Sequence, residues 1–263
     1  MKKQIHGPAT AAIGTALAVG SVTHAQQAVQ WRVEDGGNGH WYKIILVSTP
    51  LTWSDAREVA RNAGGSLLSV NTAAEQSFMR PLLVSAKDEQ GCNPAVFIGL
   101  FKQPGADWRW EDGTALTYAN WACGEPYDPD YPEGKMVMYN PAGCESYCVP
   151  HLFWNDIRSS AVHPLHRGIA IEWSADCNAD GIVDLGQILD GHLPDVNSNG
   201  VPDSCECLGD INGDDWVDGV DLGLVLASWS SSAPGITSDL NRDGAVDGSD
   251  LGILLSFWGP CAP

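Results

Sequence analysis

The 263 residues carry 33 Asp and Glu against 14 Lys and Arg, a formal net charge of −19, together with eight Cys and eleven Trp. Nucleic-acid affinity comes mainly from clustered Lys and Arg, so this composition argues against a nucleic-acid partner and against docking on anionic lipid. The charge is uneven: residues 1–173 hold 17 acids and 13 bases, whereas residues 174–263 hold 16 acids and one base, Arg242. That acidic third still contains Leu, Val, Ile and Trp, unlike a solvated disordered tail, and bound cations are its leading explanation.

The length suits roughly one to two domains. Residues 1–25 read as a signal peptide, with Lys2 and Lys3 at the start, an apolar-to-small run from Ala9 to Val22, and a small-residue cleavage site at Thr23-His24-Ala25. No other stretch approaches the ~18 apolar residues that span a bilayer. The expectation is a protein secreted to the cell exterior, free or associated with a cell surface, where disulfides persist. The cysteines are Cys92, Cys123, Cys144, Cys148, Cys177, Cys205, Cys207 and Cys261. An even number without any Cys-x-x-Cys pair fits disulfides better than a zinc cluster.

Trp53 to Arg57 opens an amphipathic helix with Trp53, Ala56, Val59 and Ala60 on one face, and Gly64-Gly65 ends it. Ser66 to Val70 follows as a strand, and Asn71 to Met79 as a second helix, with Asn71 or Thr72 as N-cap and Glu75 in the first turn. Short apolar strands separated by Gly, Pro and Asp then run from Val96 to Trp173, which makes the class α+β. From Gly124 to Asp156 there is little periodicity, and a loop of that length is normally functional or disordered. It contains Glu125, Asp128, Asp130, Glu133, Asn140, Glu145, Asn155 and Asp156, so calcium is a candidate for ordering it.

Phe97-Ile98-Gly99-Leu100, Trp108-Arg109-Trp110-Glu111-Asp112-Gly113, Tyr118-Ala119-Asn120-Trp121, Glu125-Pro126 and Trp154-Asn155-Asp156 occur in that order. With the Trp53 segment in front and Ile171-Glu172 as the last strand, residues 31–173 resemble a C-type lectin-like domain. The resemblance implies two helices with antiparallel strands and a long loop region. It also implies a calcium ion held by Glu125, Glu133, Asn155 and Asp156, two neighbouring sugar hydroxyls as further ligands, and a cis peptide before Pro126. Where sugar-binding members carry Asn after that proline this chain has Tyr127, a poor ligand, which makes Asp128 or Asp130 candidate replacements. The family disulfide between first helix and last strand is missing, with Ala60 and Ile171 at those places. Cys92, Cys123, Cys144 and Cys148 are instead expected to staple the loop.

The acidic third repeats. Asp176, Asn178, Asp180 and Asp184 fall at positions 1, 3, 5 and 9 of a twelve-residue calcium-loop pattern that reaches Gln187 at its end, and Asp195, Asn197, Asn199, Asp203 and Glu206 form a second looser copy. Residues 174–206 therefore read as a calcium-loop linker. Asp210, Asn212, Asp214, Asp218 and Asp221, and 29 residues later Asp239, Asn241, Asp243, Asp247 and Asp250, occupy positions 1, 3, 5, 9 and 12 of two tighter loops. Gly244 stands at the sharp-turn sixth position of the last loop and Asp215 at that of the one before it. After each loop comes an apolar stripe, Leu222, Val225, Leu226 and Trp229, then Leu251, Leu254, Leu255 and Trp258, so that two helices are expected to bury each other. Only Cys207, Leu208 and Gly209 precede the first tight loop, too few for an entering helix. A duplicated loop with only an exiting helix resembles a type I dockerin domain, here over residues 207–263, and implies a cohesin-type or other surface protein as partner. Cys207 with Cys261, and Cys177 with Cys205, would clasp the two loop pairs.

Enzyme signatures are weak. His163-x-x-His166 lacks the Glu and spacing of a zinc protease site, and Glu111-Asp112 is more simply a strand end and a turn than a glycosidase pair. Trp108, Trp110, Trp121 and Trp154 fit a core better than a stacking platform, and Trp229 and Trp258 are expected to pack the helices. The reading is a non-enzymatic, calcium-dependent carbohydrate-binding protein attached to a partner or surface through the dockerin-like module. The alternatives are an extracellular adhesion or scaffold protein that binds protein ligands through the lectin-like fold, and a non-catalytic subunit of a polysaccharide-degrading assembly.

Overall fold

Thr52 begins the first helix for a local reason: its hydroxyl accepts the Asp55 amide while the Asp55 carboxylate accepts the Thr52 amide, so two donors at the helix start are satisfied reciprocally. In the computed structural model, residues 22–89, 91–127, 135–139, 152–158, 160–232 and 235–261 are described. They separate into two units, one running to Asp190 and the other starting at Gly191, a break that falls inside the 174–206 segment.

In the first unit the capped helix is α1 (Trp53–Asn62), which buries Trp53, Ala56, Val59 and Ala60 as the periodicity predicts. The strand expected from Ser66 to Val70 shortens to β4 (Ser66–Leu67), because Leu68 and Ser69 turn their amides to Ala170 and to the Glu172 carboxylate. Helix α2 (Ala73–Ser85) starts at Thr72 and outruns its expected end at Met79, continuing past Pro81. Met79 and Leu83 are buried, with Phe78 and Leu82 packed on the same core, and this packing outweighs the hydrogen bond that Pro81 cannot donate.

Eight strands form one sheet among the described residues: β1 (Val22–Ala25), β2 (Val29–Gln30), β3 (Trp41–Val47), β4, β5 (Ala95–Lys102), β6 (Lys135–Tyr139), β7 (Trp154–Arg158) and β8 (His166–Trp173). The order is β1-β3-β8-β5-β6-β7, with β2 against β3 and β4 against β8. The pairings are antiparallel except β5 with β8, which run parallel. Of the segment read as a signal peptide, residues 22–25 are β1 and residues 1–21 lie outside the described residues. Gly99 lies where a Cβ would come within 2.7 Å of the Leu67 carbonyl, so only glycine lets β5 approach β4 this closely.

The core is aromatic where the long loop joins it. Trp110 and Trp154 are fully buried and meet edge to face at 5.6 Å, with Tyr118 and Trp121 packed on Trp154. Two buried acids beside the sheet are hydrogen-bonded: Glu75 accepts the Tyr42 hydroxyl and the Asn71 amide, and Glu172 accepts the Ser69 amide and contacts His40 Nδ1. Burial raises the Glu75 carboxyl above its ordinary range. Ala60 and Ile171 are fully buried, so packing stands where the family bridge would be.

The second unit holds β9 (Trp216–Val217), α4 (Gly219–Ala227), α5 (Gly248–Ser256) and β10 (Gly259–Pro260); the short α3 (Asp184–Leu189) closes the first unit. Val217, Val225, Leu240, Val246 and Leu254 form the small core of the second unit. The two apolar stripes meet only in part: Val225 and Leu254 share the core with Leu222 packed on it, but Leu226, Trp229, Leu255 and Trp258 are exposed, Trp229 by 42% and Trp258 by 50%. Asp221 and Asp250 are fully buried in the first turns of α4 and α5, and residues four apart share a helix face. Turning those acids inward brings Val225 and Leu254 with them, while Trp229 and Trp258 fall past the last residues of α4 and α5, Ala227 and Ser256, and leave the stripe.

Trp154→Ala is expected to cost about 3–5 kcal/mol of stability, the range for deleting a large buried aromatic side chain. Chemical denaturation read by tryptophan fluorescence and circular dichroism measures it, and a cost below about 1 kcal/mol would mean that Trp154 does not anchor the core.

Candidate functional site

The start of β7 is fastened to the chain before the long loop. Trp154 N–H donates to the Asn120 carbonyl, Ala122 N–H to the Trp154 carbonyl, and Asn120 Nδ2 to the Leu152 carbonyl. Glu125 N–H donates back to the Ala122 carbonyl, a turn made possible by Gly124 at φ +88°. The Glu125-Pro126 peptide is cis, as the resemblance implies. Asn155 and Asp156, next along β7, thereby come to one recess of about 350 Å³ lined by Glu125, Tyr127, Asn155, Asp156, Arg158 and neighbours.

Tyr127 plays a part that its side chain conceals. Its backbone nitrogen lies 2.7 Å from Glu125 Oε2 and 2.9 Å from Asp156 Oδ1, so one N–H donates to two carboxylates that stand 31 residues apart in sequence. The phenol is 67% exposed on the rim. The main chain at this position therefore serves whatever side chain it bears, which a ligand-by-ligand reading of the sequence overlooks. Asp128, Asp130, Glu133, Asn140 and Glu145 lie outside the described residues, as do Cys144 and Cys148. Of the expected staple, Cys92 is disulfide-bonded, whereas Cys123 is free and exposed in the Ala122–Glu125 turn.

The four acidic loops share one hydrogen-bond plan. The first-position carboxylate accepts the amide of the sixth residue: Gly181 to Asp176, Gly200 to Asp195, Asp215 to Asp210 and Gly244 to Asp239, at 2.8–3.0 Å. The third-position Asn oxygen accepts the fifth amide in each, and the fifth-position side chain accepts the seventh. Position 4 is left-handed in all four, at Ala179, Ser198, Gly213 and Arg242, and so is position 6, including Asp215 at φ +66°. The spacing anticipates position 6 but not position 4, where Gly213 is the one sequence hint.

In the last two loops the twelfth residue closes the ring. Asp221 accepts the amides of Ile211, Asn212 and Asp218, and Asp250 those of Leu240, Asn241 and Asp247. Burial would raise the Asp221 carboxyl, but the surrounding amides prevail and hold it below the ordinary range. Position 8 then pairs crosswise. Val217 lies opposite Gly259 beyond α5, and Val246 exchanges hydrogen bonds with Ser230 and Ser231 beyond α4. Cys207 and Cys261 form a disulfide around this unit, and the Cys261 amide donates to the Asp215 carbonyl. Cys177 and Cys205 are each disulfide-bonded.

Residues 49–161 match the family of the lectin C-type domain, and residues 208–256 match that of the dockerin type I domain. The chain joins a C-type lectin domain to a type I dockerin domain. The lectin region is similar to the secretory phospholipase A2 receptor of Oryctolagus cuniculus, 36% identical over 108 residues that are 40% of this chain and 7% of that protein. It is also similar to chondrolectin of Danio rerio, 30% identical over 146 residues, 46% of this chain and 49% of that protein. The C-type lectin BML-2 of Bungarus multicinctus is 29% identical over 130 residues, covering 48% and 75% of the two chains. The chain thus spans under half the length of the first two relatives. These similarities make it a lectin-like protein.

Calcium is the cofactor that lectin C-type and dockerin domains typically bind, and the dockerin loops fit it. Every side-chain donor at positions 1, 3, 5, 9 and 12 is an oxygen, the ligand a hard cation takes. Asp239 Oδ1 is buried without a hydrogen-bond partner, a cost that a cation at the loop centre would remove. Burial, then the charges of Asp250 and Asp243, raise the Asp239 carboxyl, as expected where acids converge without a counter-charge.

The enzyme signatures resolve into structure. Glu111 is held by Arg57 Nε and Arg61 Nε at 2.8 and 2.9 Å, and Asp112 caps its own turn through the Thr114 amide and hydroxyl. The His163 and His166 rings lie 5.6 Å apart, tilted by 49°, and no third metal-ligating side chain joins them among the described residues. No helix among the described residues is long and apolar enough to cross a membrane.

Asp215 is the residue that departs from glycine at position 6. Asp215→Gly is expected to leave the calcium-loaded unit equally or slightly more stable, by up to about 1 kcal/mol, whereas Asp215→Val costs about 1–2 kcal/mol, since a β-branched side chain resists the left-handed conformation. Thermal unfolding in calcium measures both, and a destabilising Gly variant would contradict the assignment.

Proposed function

We propose that the chain is an exported, non-catalytic lectin that binds carbohydrate through calcium in the recess beside β7 and is attached by its dockerin domain to a cohesin-type partner. The observation that carries the reading is the convergence of Glu125 and Asp156 on one backbone N–H, with Asn155 adjacent, in a recess open to solvent. These three residues would hold the ion, with Glu133, Asp128 or Asp130 from the segment outside the described residues. Calcium takes six to eight oxygens, so a bound ion has coordination positions left for two neighbouring hydroxyls of a sugar. The Asn155 amide can donate to those hydroxyls and the Glu125 carboxylate can accept from them. The exposed Tyr127 ring offers an apolar face for a sugar ring. Little apolar area would be covered, so single-site dissociation constants on the order of millimolar are expected, with avidity arising from several copies on one partner.

For attachment, the exposed Val220, Leu224, Leu226 and Leu255 on the dockerin helices, and Trp229 and Trp258 just beyond their ends, supply apolar surface. Scattered apolar residues are ordinary, but four on two short helices, with a Trp just past the end of each, fit a protein-binding face.

A glycan array probed in calcium and in chelator tests the reading. The expected result is a calcium-dependent signal that falls at least tenfold in Glu125→Ala and in Asp156→Ala, while Tyr127→Ala keeps the calcium requirement because the backbone N–H remains. Chelator-insensitive binding, or unchanged binding in both carboxylate variants, would sink it.

A further inference from the structure

The loop from Asp176 to Asp184 lies outside both family matches. Its hydrogen bonds follow those of the dockerin loops: Gly181 N–H to Asp176 Oδ2 at 2.8 Å, Asp180 N–H to Asn178 Oδ1 at 3.0 Å, and Ile182 N–H to Asp180 Oδ1 at 2.9 Å. The ring closes differently. The second-position amide, which in the dockerin loops goes to the twelfth residue, here goes from Cys177 to Asp184 Oδ2 at 2.9 Å, so the ninth residue takes the place of the twelfth. Gln187, where the spacing puts the twelfth ligand, instead donates its amide to Asp180 Oδ2 at 2.6 Å and acts as a prop.

The observation that reaches beyond loop geometry is Asp184 itself. It is 2% exposed, and its Oδ1 has no hydrogen-bond partner. A buried carboxylate oxygen left unpaired is costly unless a cation meets it. The charges that act on Asp184 are those of Asp176 and Asp180, both negative, and residues 174–190 contain no Lys, Arg or His. This segment therefore supplies no counter-charge of its own. The donors are oxygens, and the Cys177 sulfur is locked in a disulfide, which excludes a thiolate site and favours a hard divalent ion.

We propose that Asp176, Asn178, Asp180, Asp184 and the Ile182 carbonyl form a separate calcium site, a short loop closed at its ninth position by Asp184. The inference goes beyond the lectin and dockerin sites and does not depend on sugar binding. It is tested on the full chain by equilibrium dialysis against calcium alone, with bound metal counted at the lowest free calcium that saturates the wild type. Asp184→Asn and Asp180→Ala should each bind one ion fewer per chain than wild type. Asp180 is exposed, so its variant carries the test even if Asp184→Asn fails to fold. Glu125→Ala, measured alongside, reports the lectin site separately: an unchanged count there counts against the lectin reading and leaves this one standing. Wild-type counts in the Asp180→Ala variant, or in both Asp184 and Asp180 variants, would overturn the proposal.

Discussion

The carboxylate at the first position of each acidic loop accepts the amide of the sixth residue, and much of the C-terminal third follows from that bond. To bring the sixth amide back to the first side chain, the chain must turn sharply, which places positions 4 and 6 in the left-handed region. The turn draws the acids together, and acids brought together repel unless a cation sits among them. In the dockerin loops the twelfth acid completes the ring from within a helix, so the loop also fixes the rotation of that helix about its axis. Asp221 and Asp250 point inward, Val225 and Leu254 follow, and Trp229 and Trp258 are left outside.

The lectin domain solves the same problem by other means. Its carboxylates come from Glu125 and Asp156, far apart in sequence, and a large core is needed to bring them together. Trp154 is fully buried in that core, and the residues that follow it on β7 inherit a fixed position at the surface. The Tyr127 N–H that meets both carboxylates is delivered by the chain path and not by the side chain.

Much of this was legible in the residues. Alternating oxygen-bearing side chains announce the loops, since local spacing alone determines which side chains face the ion. The helix starts at Thr52 and Thr72, and the burial of Trp110 and Trp154, likewise follow from local signals and motif order. What escaped depends on contacts between distant segments. The apolar stripe of α4 gives four residues that share a face, but which half of them turns inward depends on Asp221 meeting Ile211 and Asn212. The continuation of α2 past Pro81 reflects core packing, which overrides a local breaker. Closure of the first loop at Asp184 instead of Gln187 reflects which carboxylate reaches the Cys177 amide, and spacing is silent on that.

If the acidity of the last third counts ion sites, its folding is coupled to calcium. Hydrogen exchange on the full chain, in calcium and in chelator, tests this most directly. Amides of Gly219–Ala227 and Gly248–Ser256 are expected to be protected in calcium and to lose that protection in chelator, while those of Trp41–Val47 and His166–Trp173 keep theirs. Equal protection of the two dockerin helices with and without calcium would contradict it.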